Sequence, residues 1–435
     1  MTKHSINARM RVFVITWIAQ MVSVIGSGLT SFALDVWVYQ RTGSVTQFAL
    51  AALCTQLPHI VMLPFSGVLV DRWNRRWIMI MSDSGLGLSI LAIALLLTIG
   101  HLEVWHIYIA GAVGSIFSAF QGTAYSATIP LLVPKQHLAR ANGMVELGEA
   151  GARLISPVLG GALLVTIHLQ GVIVIDFATF LFSLITLLFV RFPSTKTTPA
   201  LEAKKDSLLS EATIGWKYIT SRPGLLGLEI YQAASNFVGE IFGLLIMPLV
   251  LSFTSPASLG IILSIVGAGA LVGTLVMSTC GGPQRLIYSV LGFELLGGLS
   301  ILVAGLRPSA PLFTVATFLA FLGVPIIYGC GQAIWQKKVP HELQGRVFAT
   351  KQMIAMSSQP VAYLIAGPLA DRVFEPLMAV NGPLASSIGQ IIGVGPGRGI
   401  GLLFTVLGTF NILLTIVAYH YPRLRLIEDD LPDLI

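Results

Sequence analysis

Charged side chains lie inside several long apolar segments of this sequence, and they are the residues best suited to chemistry. Glu146, Glu149 and Arg153 share one such segment, residues 138–166. On a helix these three fall on one face, and Glu149 can pair with Arg153 four positions later. Ionisable groups cost roughly 2.5–3.5 kcal/mol each inside a membrane, which favours a functional role. A carboxylate that gains and loses its partner could carry a proton; a structural clamp between helices is the alternative.

Other polar residues in apolar segments are further candidates. Glu240, near the centre of residues 223–252, and Asp35, in the last third of the first segment, could also take up and release protons. Polar amides at helix depth could line a cavity for a large amphipathic solute. The amides proposed for this role are Gln20, Gln121, Gln332 and Gln336.

The composition indicates which elements must hold these groups. Hydrophobic residues make up 54% of the chain, charged residues 11%, and the mean hydropathy is +0.82. Ordinary soluble domains are about a quarter charged, so lipid must surround most of this chain. A helix crosses the hydrocarbon core with about 20 apolar residues. About twelve segments qualify: residues 11–39, 45–70, 77–99, 104–133, 138–166, 171–191, 223–252, 257–279, 286–306, 310–336, 345–370 and 400–420.

The predicted fold is therefore an all-α integral membrane protein with two pseudo-symmetric bundles of six helices. Residues 192–222 are the long polar break, and we assign them to a cytoplasmic linker between residues 1–191 and 223–435. With the amino terminus inside, 21 of the 26 basic residues fall on the inner side and 4 on the outer side. This asymmetry predicts that both termini are cytoplasmic. The first segment is read as a membrane span and not as a cleaved signal peptide.

Short matches between the two halves indicate an internal repeat. Each match is separated by 206 residues: Gly67 with Gly273, Pro134 with Pro340, Arg140 with Arg346, and Gly161 with Gly367. Parallel repeats of this kind are related by an axis along the membrane normal. They predict a substrate site near the midplane, between the two halves.

The loop between the second and third spans resembles motif A of the major facilitator superfamily, G-x-x-x-D-R-x-G-R-R. The matching residues are Gly67, Asp71, Arg72, Arg75 and Arg76. Asn74 replaces a glycine, and we expect it to keep the turn because asparagine tolerates left-handed backbone. The resemblance implies that Asp71 faces the start of span eleven, near Gly345, and latches the cytoplasmic side. Asp83 is the expected partner of the arginines, and a simple positively charged anchor is the alternative.

Span five is similar to the signature of exporters in this superfamily that act as antiporters, G-x8-G-x3-G-P-x2-G-G. The matching positions are Gly143, Ala152, Ser156, Pro157, Gly160 and Gly161. Small residues let helices approach closely and proline bends a helix, so a general packing face is the alternative. Motif B is half present, with Gln121 and Gly122 but Ser118 at the arginine position. The resemblance also implies that span nine, which carries Glu294, is scaffold.

The loops at residues 133–140 and 339–348 resemble those of macrolide-efflux and enterobactin-exporter proteins. The implied function is secondary active efflux of an antibiotic, siderophore or similar amphipathic molecule, by rocker-switch exchange with protons. A lipid flippase or lysophospholipid importer is the alternative, and a non-transporting sensor a weaker one. The expected partners are the substrate, protons and membrane lipids, with a monomer in the plasma membrane. The sequence predicts no enzyme activity, cofactor, metal site or nucleic-acid partner, and it contains no P-loop for ATP.

Overall fold

The computed structural model describes residues 3–134, 137–190, 208–280 and 285–431. For residues 3–9, 71, 139, 208–213, 280 and 341 within those ranges it describes the backbone alone. Every regular element in these ranges is a helix, as the apolar segments predict. The chain forms two compact units. Unit 1 lies within Met1–Ala200 and Ser255–Ser264, and unit 2 within Leu201–Thr254 and Ile265–Ile435.

Unit 1 is built from the first six long helices and the beginning of a later one. These are α1 (Lys3–Thr42), α2 (Val45–Arg72), α3 (Arg75–Thr98), α4 (Val104–Leu132), α5 (Leu138–Thr166) and α6 (His168–Phe189). Helix α1 packs on α5 and α6, and α4 packs on α2 and α3. The apolar core of this unit includes Leu29, Ala33, Ile93, Val172 and Ile173. Close packing of such side chains helps to hold the helices of the unit together.

Unit 2 continues with one short and several long helices. They are α7 (Leu208–Thr220), α8 (Pro223–Leu251), α9 (Pro256–Cys280), α10 (Leu286–Leu306), α11 (Ala310–Lys338) and α12 (His341–Leu369). A π-helix (Ala370–Phe374) extends α12, followed by α13 (Glu375–Leu377), α14 (Gly389–Ile392), α15 (Arg398–His420), α16 (Pro422–Arg425) and α17 (Ile427–Asp430). Helix α10 packs on α11 and α15. The apolar core of unit 2 includes Leu225, Leu228, Ile287 and the fully buried Trp335.

Eleven helices in the described ranges are long and apolar enough to cross a membrane. Helix α5 is the twelfth helix of membrane length in the described ranges, and it carries charged residues at 146, 149 and 153. Large apolar side chains also face outward, such as Phe189 at 84% and Leu147 at 71% exposure. Outward apolar surface is what lipid contact requires. The chain is therefore a multi-pass membrane protein of the predicted fold.

The predicted linker contains structure that the sequence analysis missed. Its first part lies outside the described residues, but α7 fills Leu208–Thr220. Tyr218 and Ile219 are buried, and the Tyr218 hydroxyl donates to the backbone oxygen of Lys338 at 2.9 Å. Burial raises the pKa of Tyr218, although the nearby Arg222 opposes this, so the hydroxyl stays protonated and able to donate. Helix α7 is thus docked on unit 2.

The carboxyl-terminal segment is also docked on unit 2, at the ends of α8, α10 and α11. Leu424 and Ile427 are buried. The backbone N–H of Ile287, at the start of α10, donates to Glu428 Oε2 at 3.0 Å. The Nζ of Lys338, itself 2% exposed, donates to the backbone oxygens of Glu428, at 2.8 Å, and Leu431. This segment therefore satisfies a free helix N–H and a buried ammonium group.

Removing the Glu428 carboxylate should destabilise unit 2. In Glu428→Ala the N–H of Ile287 loses its acceptor, and capping losses of this kind cost about 1 kcal/mol. Glu428→Gln keeps an acceptor oxygen and should recover most of the loss. The measurement is thermal unfolding in detergent, followed by tryptophan fluorescence. Asp429→Ala is the control, because it removes only an exposed pair, Arg285–Asp429 at 3.4 Å, and such pairs contribute about 0–1 kcal/mol. Equal losses in both alanine variants would contradict the capping role.

Candidate functional site

The motif A loop connects α2 and α3, as the sequence predicts. Helix α2 ends at Arg72 and α3 begins at Arg75. The expectation of a left-handed backbone at Asn74 is wrong. Its φ is −68° and its ψ is 114°, which is an extended conformation. Asn74 is instead the N-cap of α3, with its side-chain oxygen accepting from the backbone N–H of Arg76 at 3.0 Å. Asparagine is among the preferred N-cap residues, which explains how it replaces glycine in this motif.

The arginines of this loop bind backbone oxygens near the ends of neighbouring helices. Arg75 Nη1 donates to the carbonyl oxygen of Ala127 in α4 at 2.7 Å. Arg76 donates through Nε to Leu187 and through Nη2 to Leu188, at 3.1 and 2.6 Å, in the last turn of α6. The last carbonyls of a helix lack intrahelical partners and carry partial negative charge, so the Arg76 guanidinium satisfies those of Leu187 and Leu188 well. The side chain of Asp71 lies outside the described part of the structure, and its latch with span eleven stays a prediction.

Asp83 lies in a different environment from the one that the motif led us to expect. It is eight residues into α3, about 12 Å along the helix from Arg75, and it is 5% exposed. Ser183 Oγ donates to its Oδ2 at 3.3 Å, and Gln20 Nε2 lies 3.4 Å from the same oxygen. Gln20 also donates to Ser183 at 2.9 Å and accepts from Gln121 Nε2 at 3.0 Å. Asp83 therefore belongs to a buried polar network between α1, α3, α4 and α6.

Two amides that we proposed for a substrate cavity are members of this network. Gln20 and Gln121 are each 9% exposed. Gln121 Oε1 is buried and has no hydrogen-bond partner among the described residues. Asp35, the candidate on α1, is half-buried and lies farther along the same helix. The other two amides, Gln332 and Gln336, lie on α11 of unit 2, where they are half-buried and exposed respectively.

The charged face of α5 forms as the helical spacing predicts. Arg153 Nη2 lies 3.3 Å from Glu149 Oε2, and their side chains are 78% and 50% exposed. Glu146 is also exposed on this helix. Both side chains are largely exposed and contact each other along the same helix, so the contact gives little support to a clamp between α5 and a neighbour within unit 1.

The antiporter signature of α5 makes two separate helix contacts within unit 1. Ser156 Oγ donates to the carbonyl oxygen of Ile25 at 3.2 Å, and a Cβ on Gly160 would lie 2.9 Å from the Phe32 ring. These positions face α1. A Cβ on Gly161 would lie 2.5 Å from the carbonyl oxygen of Pro256, at the start of α9. The small residues thus allow close approach on two sides of α5.

The remaining members of the signature differ in how closely other atoms approach them. The close contact between α5 and α9 also requires a glycine on α9, because a Cβ on Gly260 would overlap the Pro157 carbonyl oxygen. Ser264 Oγ also donates to the carbonyl oxygen of Leu154. Ala152 is 5% exposed. Gly143, in contrast, has no heavy atom within 4 Å of its Cβ position, so close packing does not require glycine there.

Glu240 of unit 2 lies on α8, where the sequence analysis placed it. Its Oε2 accepts from Gln359 Nε2 of α12 at 3.0 Å, and the same amide nitrogen lies 3.1 Å from the Tyr363 hydroxyl. Glu240 is half-buried. A half-buried carboxylate with a neutral hydrogen-bond partner can take up or release a proton without breaking an ion pair.

The structure also reveals a polar cluster around one carboxylate, Glu294, that sequence reasoning assigned to scaffold. Glu294 of α10 contacts Ser235 of α8 and Asn411 of α15, and Ser235 and Asn411 are buried. The available signal was the presence of polar residues near the middle of three spans. Their mutual contact could not be read from spacing, because these partners are 59 and 117 residues from Glu294.

Comparisons with known proteins agree with this architecture. Residues 16–363 match the family model of the Major Facilitator Superfamily. The chain is 28% identical over 376 residues to macrolide efflux protein A of Streptococcus pyogenes, covering 83% of this chain and 90% of that protein. It is 24% identical over 292 residues to the enterobactin exporter EntS of Citrobacter koseri (strain ATCC BAA-895 / CDC 4225-83 / SGSC4696), covering 67% and 69%.

A solved structure shows the same fold at low sequence identity. A bacterial homologue of the human lysosomal transporter Spinster, in an inward-facing conformation, matches with a TM-score of 0.66 and 15% identity. The match covers 96% of this chain and 98% of that one. The resemblance inferred from the loop and span-five motifs is confirmed. This chain belongs to the Major Facilitator Superfamily, a family of membrane transporters.

Proposed function

We propose that this protein exports hydrophobic or amphipathic small molecules from a bacterial cell in exchange for protons. The observation that carries the proposal is the similarity to macrolide efflux protein A, which extends over 83% of the chain. The similarity to an enterobactin exporter supports the same direction of transport. The substrate class is an antibiotic, siderophore or related secondary metabolite.

Carboxylates within the membrane-length helices support protons as the coupling ion. Glu240 has a neutral partner, Gln359, and Glu149 has an exposed partner, Arg153. Both arrangements allow a carboxylate to exchange a proton as its surroundings change. Asp35 and Glu146 are the other candidates for this role. Rocker-switch alternation of two six-helix bundles is the proposed mechanism, with both termini in the cytoplasm, lipid around the helices and a monomer as the active form.

Drug resistance in a bacterial host that lacks its own major efflux pumps tests this proposal. Expression of the wild-type chain should raise the inhibitory concentration of a macrolide and lower the accumulation of a labelled macrolide. An uncoupler that collapses the proton gradient should restore accumulation. Unchanged accumulation of a panel of macrolides, siderophores and dyes would contradict efflux. Uptake of lysophospholipid that is insensitive to the uncoupler would instead identify a lipid importer.

A further inference from the structure

Three helices of unit 2 place polar side chains around one carboxylate. Ser235 Oγ of α8 lies 2.5 Å from Glu294 Oε2 of α10. Asn411 Nδ2 of α15 lies 3.2 Å from the same oxygen, and Ser235 Oγ lies 2.9 Å from Asn411 Oδ1. Ser235 is 7% and Asn411 3% exposed. These contacts form a closed ring of three side chains, so the number of protons in it can be counted.

The backbone of Glu294 fixes the orientation of the Asn411 amide. Asn411 Nδ2 lies 3.2 Å from the Glu294 carbonyl oxygen, which can only accept a hydrogen bond. An amide turned the other way would place two acceptor oxygens against each other. Asn411 Oδ1 therefore faces Ser235, and it needs a proton from the serine hydroxyl.

Ser235 has one hydroxyl proton but two neighbouring acceptors. If Glu294 is ionised, one of the two contacts, at 2.5 or 2.9 Å, joins two oxygens with no proton between them. If Glu294 is protonated, its O–H donates to Ser235, and Ser235 donates to Asn411. Every contact then has a proton, and buried polar groups are normally satisfied in this way. We propose that Glu294 binds a proton in this conformation and that Ser235 and Asn411 build its proton-binding site.

The groups around this site leave the proton on Glu294. Among the described residues, Tyr231 of α8 and Tyr328 of α11 are titratable side chains that interact electrostatically with Glu294. Tyr231 pairs with Thr415 of α15 at 3.0 Å and is neutral at physiological pH. One basic residue of α12 and one of α15 have their own partners. Lys351 lies over the Trp335 ring, and Arg398 donates to the Ile392 backbone oxygen.

Tyr328 connects this site with the carboxylate proposed for coupling. It lies within electrostatic range of both Glu240 and Glu294. Its hydroxyl donates to Asn236 Oδ1 at 3.0 Å, and Asn236 follows Ser235 in the chain. The role of Glu294 as a store of the proton exchanged for substrate rests on the proposed proton antiport. The protonation of Glu294 itself does not rest on that proposal.

The buried acid of unit 1 provides a matched comparison. Asp83 lies eight residues after the start of α3, as Glu294 lies eight after the start of α10. Its neighbours can all donate to it: Ser183 offers its hydroxyl and Gln20 an amide N–H. Each of these contacts of the Asp83 carboxylate therefore has a proton when the carboxylate is ionised, whereas this does not hold for the ring around Glu294.

Infrared spectroscopy of the full-length protein in lipid nanodiscs tests protonation directly. The wild type at pH 7 should show a carbonyl band of a protonated carboxylic acid that is lost in Glu294→Gln. This variant should fold normally, because the new amide N–H donates to Ser235 as the acid proton does. In Ser235→Ala the band should persist and move to higher frequency, since its acceptor is removed. Glu342→Gln, at an exposed acid, should leave the band unchanged.

The possible results separate this inference from the proposed function. Loss of a carboxylate band instead of a carboxylic acid band in Glu294→Gln would overturn the protonation of Glu294. A Ser235→Ala spectrum identical to wild type would overturn the hydrogen bond to serine. If the acid band is assigned to Glu294 but wild-type vesicles show no proton-coupled transport, the site stands and the antiport proposal fails. If transport is proton-coupled and the acid band is absent, only the site fails.

Discussion

Gly260→Ala is expected to destabilise unit 1 and to abolish resistance. A Cβ at this position would overlap the carbonyl oxygen of Pro157 and lie 2.9 Å from its carbonyl carbon. Both atoms belong to the backbone of α5, so no side-chain rotation can relieve the overlap. Forced expansion of a packed contact costs about 1–3 kcal/mol. Thermal unfolding in detergent and the inhibitory concentration of a macrolide are the two measurements. Gly161→Ala, with Pro256 O at 2.5 Å, should behave in the same way.

The same helix supplies the controls for this prediction. Gly143 and Gly151 of α5 have no heavy atom within 4 Å of their Cβ positions. Alanine is a better helix former than glycine by about 1 kcal/mol, so both alanine variants should be at least as stable as wild type. Gly143 belongs to the antiporter signature and Gly151 does not. If Gly260→Ala proves as stable and active as Gly143→Ala, close α5–α9 packing is not needed.

Glu240→Gln is expected to remove transport driven by a pH gradient. Glutamine keeps the shape of the side chain and an oxygen that can accept from Gln359, as Glu240 Oε2 does at 3.0 Å in the wild type. It cannot exchange a proton. In vesicles with an imposed pH gradient, substrate accumulation should fall to the level of vesicles without protein. Exchange of labelled for unlabelled substrate, which needs no gradient, should continue. The unfolding temperature in detergent should match that of wild type.

A control for the charge change is available on α12. Glu342 is an exposed acid in the first turn of that helix, and Glu342→Gln should transport as wild type does. Gradient-driven transport by Glu240→Gln at the wild-type rate would exclude Glu240 as the coupling group. The pair Glu149–Arg153 would then be the next candidate, and Glu149→Gln the next variant to measure.

The fold could be predicted almost completely from composition and apolar length. Spans in a membrane protein are determined by local sequence, since each helix satisfies its own backbone. Helix α5 was identified despite its charges, because its flanking apolar residues still extend to membrane length. Helix α7 was missed, although Trp216, Tyr218 and Ile219 lie close together in the polar linker. A short helix docked on a bundle has too few apolar residues to stand out in a hydropathy profile.

The candidate site was predictable only where its contacts are local. The Glu149–Arg153 pair follows from a spacing of four residues, and the turn at Asn74 was located but explained by the wrong geometry. Asp83 was paired with nearby arginines, whereas its partners Gln20 and Ser183 are 63 and 100 residues away. Glu294 was assigned to scaffold from the family resemblance, and its partners Ser235 and Asn411 are 59 and 117 residues away. Such contacts depend on which helix faces meet, and sequence spacing alone does not determine that.

Proton movement driven by substrate tests the central claim most directly. Wild-type protein is reconstituted into vesicles that contain a pH-sensitive dye and no imposed pH gradient, and a macrolide gradient is then applied. The account predicts that protons move opposite to the substrate in wild-type vesicles and that neither moves in vesicles without protein. Macrolide transport without any proton movement in wild-type vesicles would contradict proton-coupled efflux.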